Sequence, residues 1–326
     1  MESPAVDELD RRIIHALYVH PRAPFSRLAK VLGASEQTIA RRYRLLRDGN
    51  VLRVVGQLDT QRLGQSDWAV RIRCTPGTSL AVATELARRP ETAWVQLTSG
   101  GTEIFSTIHS HDRMQSAPLL LGQLSAGRQV VGLEAYCLLH LFSTGPAPPF
   151  GETALTPDEV DRLRPPPAVN VDGRPAELLE ADRALVQALA EDGRATYRQL
   201  ADRTHWHEST VRRRVEDLMA SGVLFFDLDV VAEALGKRSR AILWMSVAPA
   251  KLMTVGETLA QRLEVPFAAA TTGSTNLLVS LACEDDHSLF EYLTREVSAL
   301  DGVVHIETAP IMRAVKMHAT IGPPGG

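Results

Sequence analysis

Four arginines crowd one short stretch, Arg41, Arg42, Arg44 and Arg47, and the apolar residues between them, Ile39, Tyr43 and Leu46, recur at helical spacing. With those three turned inward, Gln37, Thr38, Ala40, Arg41 and Arg44 project from the opposite face, and Arg47 lies one turn beyond. Guanidinium groups pair with phosphates or grip guanine edges with two hydrogen bonds, and glutamine reads adenine. The stretch therefore reads as a double-stranded DNA contact, against the plainer reading of a solvated helix face. A second stretch, offset by 172 residues, projects Ser209, Thr210, Arg212 and Arg213 with Arg214 at its flank. The surroundings of the two stretches differ in sign. Residues 1–60 hold ten Lys/Arg against seven Asp/Glu, whereas residues 177–236 hold seven against twelve. Affinity for a phosphate backbone comes largely from counterion release, so the first stretch is the stronger DNA candidate.

Other chemistry is sparse. His205-Trp206-His207 and the pair His109 and His111 have alternating spacing but no nearby cysteine, so both read as surface or satisfied histidines and no metal site is expected. Neither a Gly-rich phosphate loop, a Gly-x-Ser-x-Gly elbow nor a His-Glu-x-x-His helix occurs, and Ser and His show no triad spacing. No catalytic residue and no cofactor are expected. Cys74, Cys137 and Cys283 stand singly in apolar runs and read as small buried hydrophobes of a reducing compartment. With a net charge of -4, an acidic start and no run of about 18 apolar residues, the chain reads as cytoplasmic with no membrane partner.

What must position these residues appears twice. Asp10 to Gly64 lies over Asp182 to Gly236 without a gap, at a constant offset of 172. In the first copy Leu9, Ile13, Ala16 and Leu17 mark one helix behind Asp7 as N-cap, Leu28, Ala29 and Leu32 a second closed by Gly33, and Ser35 caps the arginine-bearing third. Val51, Val54 and Val55 then read as extended. The second copy has Leu185, Ala188 and Leu189, then Leu200 and Ala201, then Val211, Val215 and Leu218 at matching positions; Thr196 and Gln199 add a capping box, and His207 replaces the serine cap. Three short helices and an extended segment are the pattern of a winged helix-turn-helix. Beyond each copy the texture alternates, and both stretches read strand-helix-strand-strand-helix-strand, with first-half helices at Ser79 to Arg89 and Arg113 to Leu124, and second-half helices at Lys251 to Leu263 and His287 to Leu300. Prolines crowd Ser143 to Ala176, a semi-rigid spacer with room for one or two helical turns at Thr156 to Leu163.

The expected class is α+β, two winged helix-turn-helix domains each followed by a ferredoxin-like βαββαβ domain. The boundaries are residues 1–62 and 63–143, a linker at 144–176, then 177–236 and 237–320, with a disordered tail at 321–326.

This order resembles the Lrp/AsnC family of transcriptional regulators. The resemblance is carried by Leu9-Asp10-Arg11-Arg12-Ile13, Gly33-Ala34-Ser35, Thr38-Ile39 with Arg41-Arg42 and Gly49-Asn50-Val51-Leu52, and by Asp182-Arg183, Thr210-Val211 with Arg213-Arg214 and Ser221-Gly222-Val223-Leu224. It implies that small effectors such as amino acids bind at the turn between the second and third sensor strands. Here these turns hold Gly100, Gly101, Thr102 and Glu103, and Gly273, Ser274, Thr275 and Asn276. It also implies a fused pseudo-dimer that assembles further into homo-oligomers. The function so implied is a sequence-specific transcription regulator responding to a small metabolite, and not an enzyme. Two alternatives stand beside it: a metabolite- or protein-binding module that has lost DNA recognition, and a siroheme decarboxylase-like enzyme on the same architecture. Against the latter, Pro90-Glu91-Thr92-Ala93-Trp94 and Glu264-Val265-Pro266-Phe267 stand where those enzymes carry an Asn-His-Asn-Tyr-like stretch.

Overall fold

The computed structural model describes residues 6–89, 91–110, 129–142, 153–165 and 178–317. The first half runs α1 (Glu8–Val19), α2 (Phe25–Leu32), α3 (Glu36–Asp48), β1 (Leu52–Leu58), β2 (Ser66–Cys74), α4 (Ser79–Ala87), β3 (Thr92–Thr98), β4 (Glu103–Ser110) and β5 (Val130–Leu141). A short helix, α5 (Pro157–Leu163), precedes the second half. That half runs α6 (Arg183–Glu191), α7 (Tyr197–Thr204), α8 (Glu208–Ala220), β6 (Leu224–Val230), β7 (Ser239–Val247), α9 (Leu252–Ala260), β8 (Phe267–Thr271), β9 (Leu277–Cys283), α10 (Asp286–Glu291) and β10 (Val303–Ala314). The expected helix Arg113 to Leu124, His111, the tail and most of the proline-rich spacer lie outside the described residues.

Like gathers with like: one compact unit holds Met1–Gly64 with Thr153–Ala234, the other Gln65–Glu152 with Leu235–Gly326. In the first unit each copy closes three helices over its own apolar core, Ile13, Ile14, Leu17, Leu28, Ile39 and Leu46 in one copy and Leu185, Leu189, Leu200, Val211 and Val215 in the other. The extended segment after α3 is paired between copies: β1 runs antiparallel to β6 with Val55 opposite Asp227. These two residues occupy the same position in the duplicated sequence, so the ladder is self-complementary about that point, as an isologous interface must be.

Glycine permits the close approach. A Cβ on Gly193 would meet Val54 Cγ1 at 2.9 Å, and one on Gly56 would meet Leu189 Cβ at 2.9 Å. Two arginines then cross between the copies in a reciprocal exchange. Arg194 donates to Pro21 O at 2.6 Å and Ala23 O at 2.8 Å, with its guanidinium 4.5 Å from the Phe25 ring centroid. Arg22, its counterpart, donates to Gly193 O and Ala195 O and lies 5.0 Å from the Phe226 ring centroid. Burial lowers the pKa of both guanidiniums, and four backbone carbonyls and the aromatic faces take the place of water.

The segment before the second copy folds back on the first. Thr156 and Glu159 form a capping box for α5, Leu155 and Leu163 are buried, and Arg12 pairs with Glu159 at 2.5 Å. Arg27 closes the other end of α5 by donating to Arg162 O at 2.7 Å.

In the second unit the strand orders β3-β4-β2-β5 and β8-β9-β7-β10 repeat one ferredoxin-like sheet. Pairing of β5 with β8 and of β10 with β3 joins them into a closed antiparallel ring. The outer faces carry separate cores against the helices, with Val70, Ile72, Ala83, Leu86 and Val95 in one half and Leu243, Val255, Leu259, Val279 and Val297 in the other. Inside the ring Trp244, Phe105, Tyr136, Leu138 and Ile242 pack together. The single helix expected over His287 to Leu300 is instead the six residues of α10 followed by a π-helical turn, Tyr292–Val297, which brings Tyr292 and Val297 into the core.

Candidate nucleic-acid interface and sensor turns

Ser35 begins α3, its Oγ accepting from the Thr38 amide at 3.0 Å, and Ile39, Tyr43 and Leu46 anchor the inner face. Gln37, Arg41 and Arg44 are exposed, while Thr38 and Ala40 are half-buried on the same side. Arg41 and Arg44 have no carboxylate partner among the described residues, and Arg47 pairs with Asp48 at 3.2 Å. Arg42 is placed differently. It pairs with Asp7 at 2.6 Å and Asp10 at 3.2 Å, fastening α3 to the start of α1. The Asp10 amide bonded to its carboxylate leads in holding Asp7 below the usual range, and burial pushes the Asp10 carboxyl up.

The counterpart in the second copy repeats this fastening. Arg214 donates to the buried Asp182 at 2.7 and 2.5 Å. Arg42 and Arg214, expected at DNA, are thus held as braces between helices, a role the sequence reading did not give them. The signal was present, since Asp and Arg 32 residues apart occur at matching positions in both copies. On α8 Ser209, Arg212 and Arg213 are exposed and Thr210 is half-buried. Arg212 is drawn toward Glu208 at 3.5 Å and lies over the Tyr197 ring at 5.0 Å. His207 makes no side-chain cap.

In the sensor unit, Ser99-Gly100-Gly101 forms a tight turn with left-handed φ of 52°, 70° and 79°. Glu103 beyond it is buried, accepting from Ser99 Oγ at 2.8 Å and from Arg71 at 2.9 Å. Arg71 also bridges to Glu307 on β10, donating to Oε2 at 2.8 Å. In the other turn Asn276 faces its own sheet. Its side-chain oxygen accepts from Val247 N at 2.8 Å and its amide nitrogen donates to Val247 O at 2.8 Å. Thr272, Gly273 and Ser274 are exposed and Thr275 is buried. Among the described residues no group of three His, Cys, Asp or Glu is placed to hold a metal ion, and no helix is long and apolar enough to cross a membrane.

Paired helix-turn-helix modules and paired ferredoxin-like modules define a duplicated two-domain class. The AsnC-type helix-turn-helix model matches residues 6–47 and 180–219, and the Lrp/AsnC ligand binding domain model matches 240–321. An uncharacterized HTH-type transcriptional regulator of Pyrococcus horikoshii is 33% identical over 144 residues, which are 44% of this chain and 90% of the relative. The HTH-type transcriptional regulator LrpA1 of Halobacterium salinarum is 28% identical over 123 residues, 37% of this chain and 87% of the relative. The chain belongs to the Lrp/AsnC family, with the helix-turn-helix matched in both halves and the ligand binding domain matched in the second.

The whole tandem is matched by a different kind of protein. The crystal structure of the siroheme decarboxylase NirDL aligns with a TM-score of 0.62 at 15% identity, covering 96% of this chain and 93% of that one. Its co-complex with an iron-uroporphyrin III analogue gives 0.61 at 14% identity over the same shares. Such identity speaks for the fold alone. It nonetheless corrects the expectation that the chain is not an enzyme: the full duplicated architecture is one on which an enzyme is built, and the absence of familiar catalytic motifs does not rule one out.

Proposed function

We propose that the chain regulates transcription by sequence-specific binding to double-stranded DNA, with α3 as its principal reading helix. The observation that carries this is the outward face of α3, where Gln37, Arg41 and Arg44 stand exposed and free of carboxylates among the described residues. Fixed arginines of this kind reach phosphates or guanine edges, and the cap and inner stripe hold them in place. A small metabolite, an amino acid or a relative of one, bound at the sensor turns acts as effector. It shifts DNA affinity only as far as it prefers one arrangement of the paired modules. The protein acts in the cytoplasm, and its sensor modules assemble further copies.

Selection of bound duplexes from a random library tests this directly. Enrichment of one motif with base preference under α3 is expected, and binding without enrichment would reduce the chain to a module without DNA reading. A second reading, decarboxylation of siroheme, draws on the likeness to NirDL over 96% of the chain. It predicts a Soret band shift on titration with siroheme and release of carbon dioxide; a flat titration would dismiss it.

A further inference from the structure

The two sensor turns occupy equivalent places, 173 residues apart, but their neighbours on the adjoining strand are not equivalent. At the second turn, Cys137 of β5 donates its amide to Thr272 Oγ1 at 2.9 Å and accepts from the Thr272 amide at 3.0 Å. The next residue back, Tyr136, lays its ring against the turn, so that a Cβ on Gly273 would meet Tyr136 Cδ1 at 2.5 Å. The ring is held from behind by Trp244, with centroids 4.9 Å apart, and its hydroxyl donates to Glu134 at 2.7 Å.

At the first turn the residues matching Tyr136 and Cys137 are Ala309 and Pro310 of β10. Proline has no amide hydrogen to donate, and alanine has no ring. Ser99 Oγ turns instead to Glu103, a Cβ on Gly100 would meet nothing within 4 Å, and one on Gly101 would reach only Met312 Sδ at 3.9 Å. Beside this open turn two carboxylates, Glu103 and Glu307, share the guanidinium of Arg71.

From these differences we infer that the Ser99–Thr102 turn, with the stretch of β10 facing it, is the chain's single effector site, suited to a small molecule bearing an ammonium group, and that Tyr136 occupies the place of the ligand at its pseudo-equivalent. The second turn is then a latch between the two sheets. This rests on the effector reading above, and the two can fail separately. Hydrogen exchange needs no ligand: the Thr272 amide, bonded to Cys137, is expected to exchange at least about tenfold more slowly than the Ser99 amide, and equal rates would overturn the latch. Calorimetry against the twenty L-amino acids as probes is expected to find a binder at one per chain. Ala309→Tyr, which copies Tyr136 into the open site, is expected to weaken it at least tenfold, with retained far-ultraviolet circular dichroism showing that the variant folds. Two sites per wild-type chain, or an Ala309→Tyr affinity within twofold of wild type, would overturn the single-site assignment. Binding by none of the twenty, with the exchange difference intact, would overturn the effector reading and the site with it while leaving the latch standing.

Discussion

Asp10 and Asp182 hold the same position in the two copies, yet they keep different company. Asp182 is closed off from solvent and gripped at two oxygens by Arg214, while Asp10 shares Arg42 with Asp7, whose place in the second copy is taken by Leu179. The first copy adds a serine cap on α3 and a linker helix docked against its first two helices; the second has neither the cap nor the net positive charge. The brace between helices has been kept in both copies, and what surrounds it has diverged. The same contrast runs through the sensor unit, where one turn is latched by Tyr136 and Cys137 and the other is left open beside Ala309 and Pro310. Duplication has preserved the framework and released the surfaces.

The largest effect that would sharpen this contrast lies at the braces. Asp182→Ala leaves the Arg214 guanidinium without its buried carboxylate and is expected to cost about 3–5 kcal/mol in urea unfolding. Asp10→Ala leaves Arg42 with Asp7 and is expected to cost only about 1 kcal/mol. Equal losses would show that the two braces are the same device and that Asp7 is a bystander.

The next concerns the docked linker, present on the first copy only. His15 is buried and its Nδ1 accepts from the Leu155 amide at 3.0 Å, so the ring must be neutral, and burial pushes its pKa down to about 4. The sign follows from the unfolded chain, which takes up a proton near pH 6.5 while the folded one does not. Stability contributed here is therefore complete above pH 6.5, falls as pH drops toward 4, and levels off below, by about 3 kcal/mol in all. His15→Gln, which installs the residue that the second copy carries at Gln187, should flatten that part of the pH-stability curve. An unchanged slope would show that His15 does not set this pH dependence.

The smallest effect is at the caps. Ser35→Ala is expected to cost about 1 kcal/mol, and His207→Ala at the matching place almost nothing, since only the serine bonds an amide of its helix. A matched pair of losses would dissolve this difference between α3 and α8.

Much of the framework was legible in the sequence because it is local. The stripes Ile39-Tyr43-Leu46 and Val211-Val215-Leu218, the caps at Asp7, Ser35 and Thr196, and the alternation of Trp68 to Cys74 each depend on residues a few positions apart, and all appear where that spacing puts them. What escaped depends on pairing across the duplication. That Val55 would lie opposite Asp227, that Arg22 and Arg194 would each reach into the other copy, and that Tyr136 would lie against Gly273 are consequences of β1 meeting β6 and β5 meeting β8, which no local pattern encodes. The arginine run misled for the same reason. Arg41 and Arg42 are neighbours in sequence, but 100° of helix separates an exposed guanidinium from one bound to α1.

We propose that α3 of the first copy, more than α8 of the second, carries DNA reading. The most direct test is the salt dependence of binding to a selected duplex for two double variants, Arg41→Ala with Arg44→Ala and Arg212→Ala with Arg213→Ala. The α3 pair is expected to lose at least about 100-fold in affinity, with its log-log salt slope shrinking by about 2, as two lost phosphate contacts require, while the α8 pair stays within about threefold of wild type. An unchanged affinity and slope for the α3 pair, or the larger loss in the α8 pair, would contradict it.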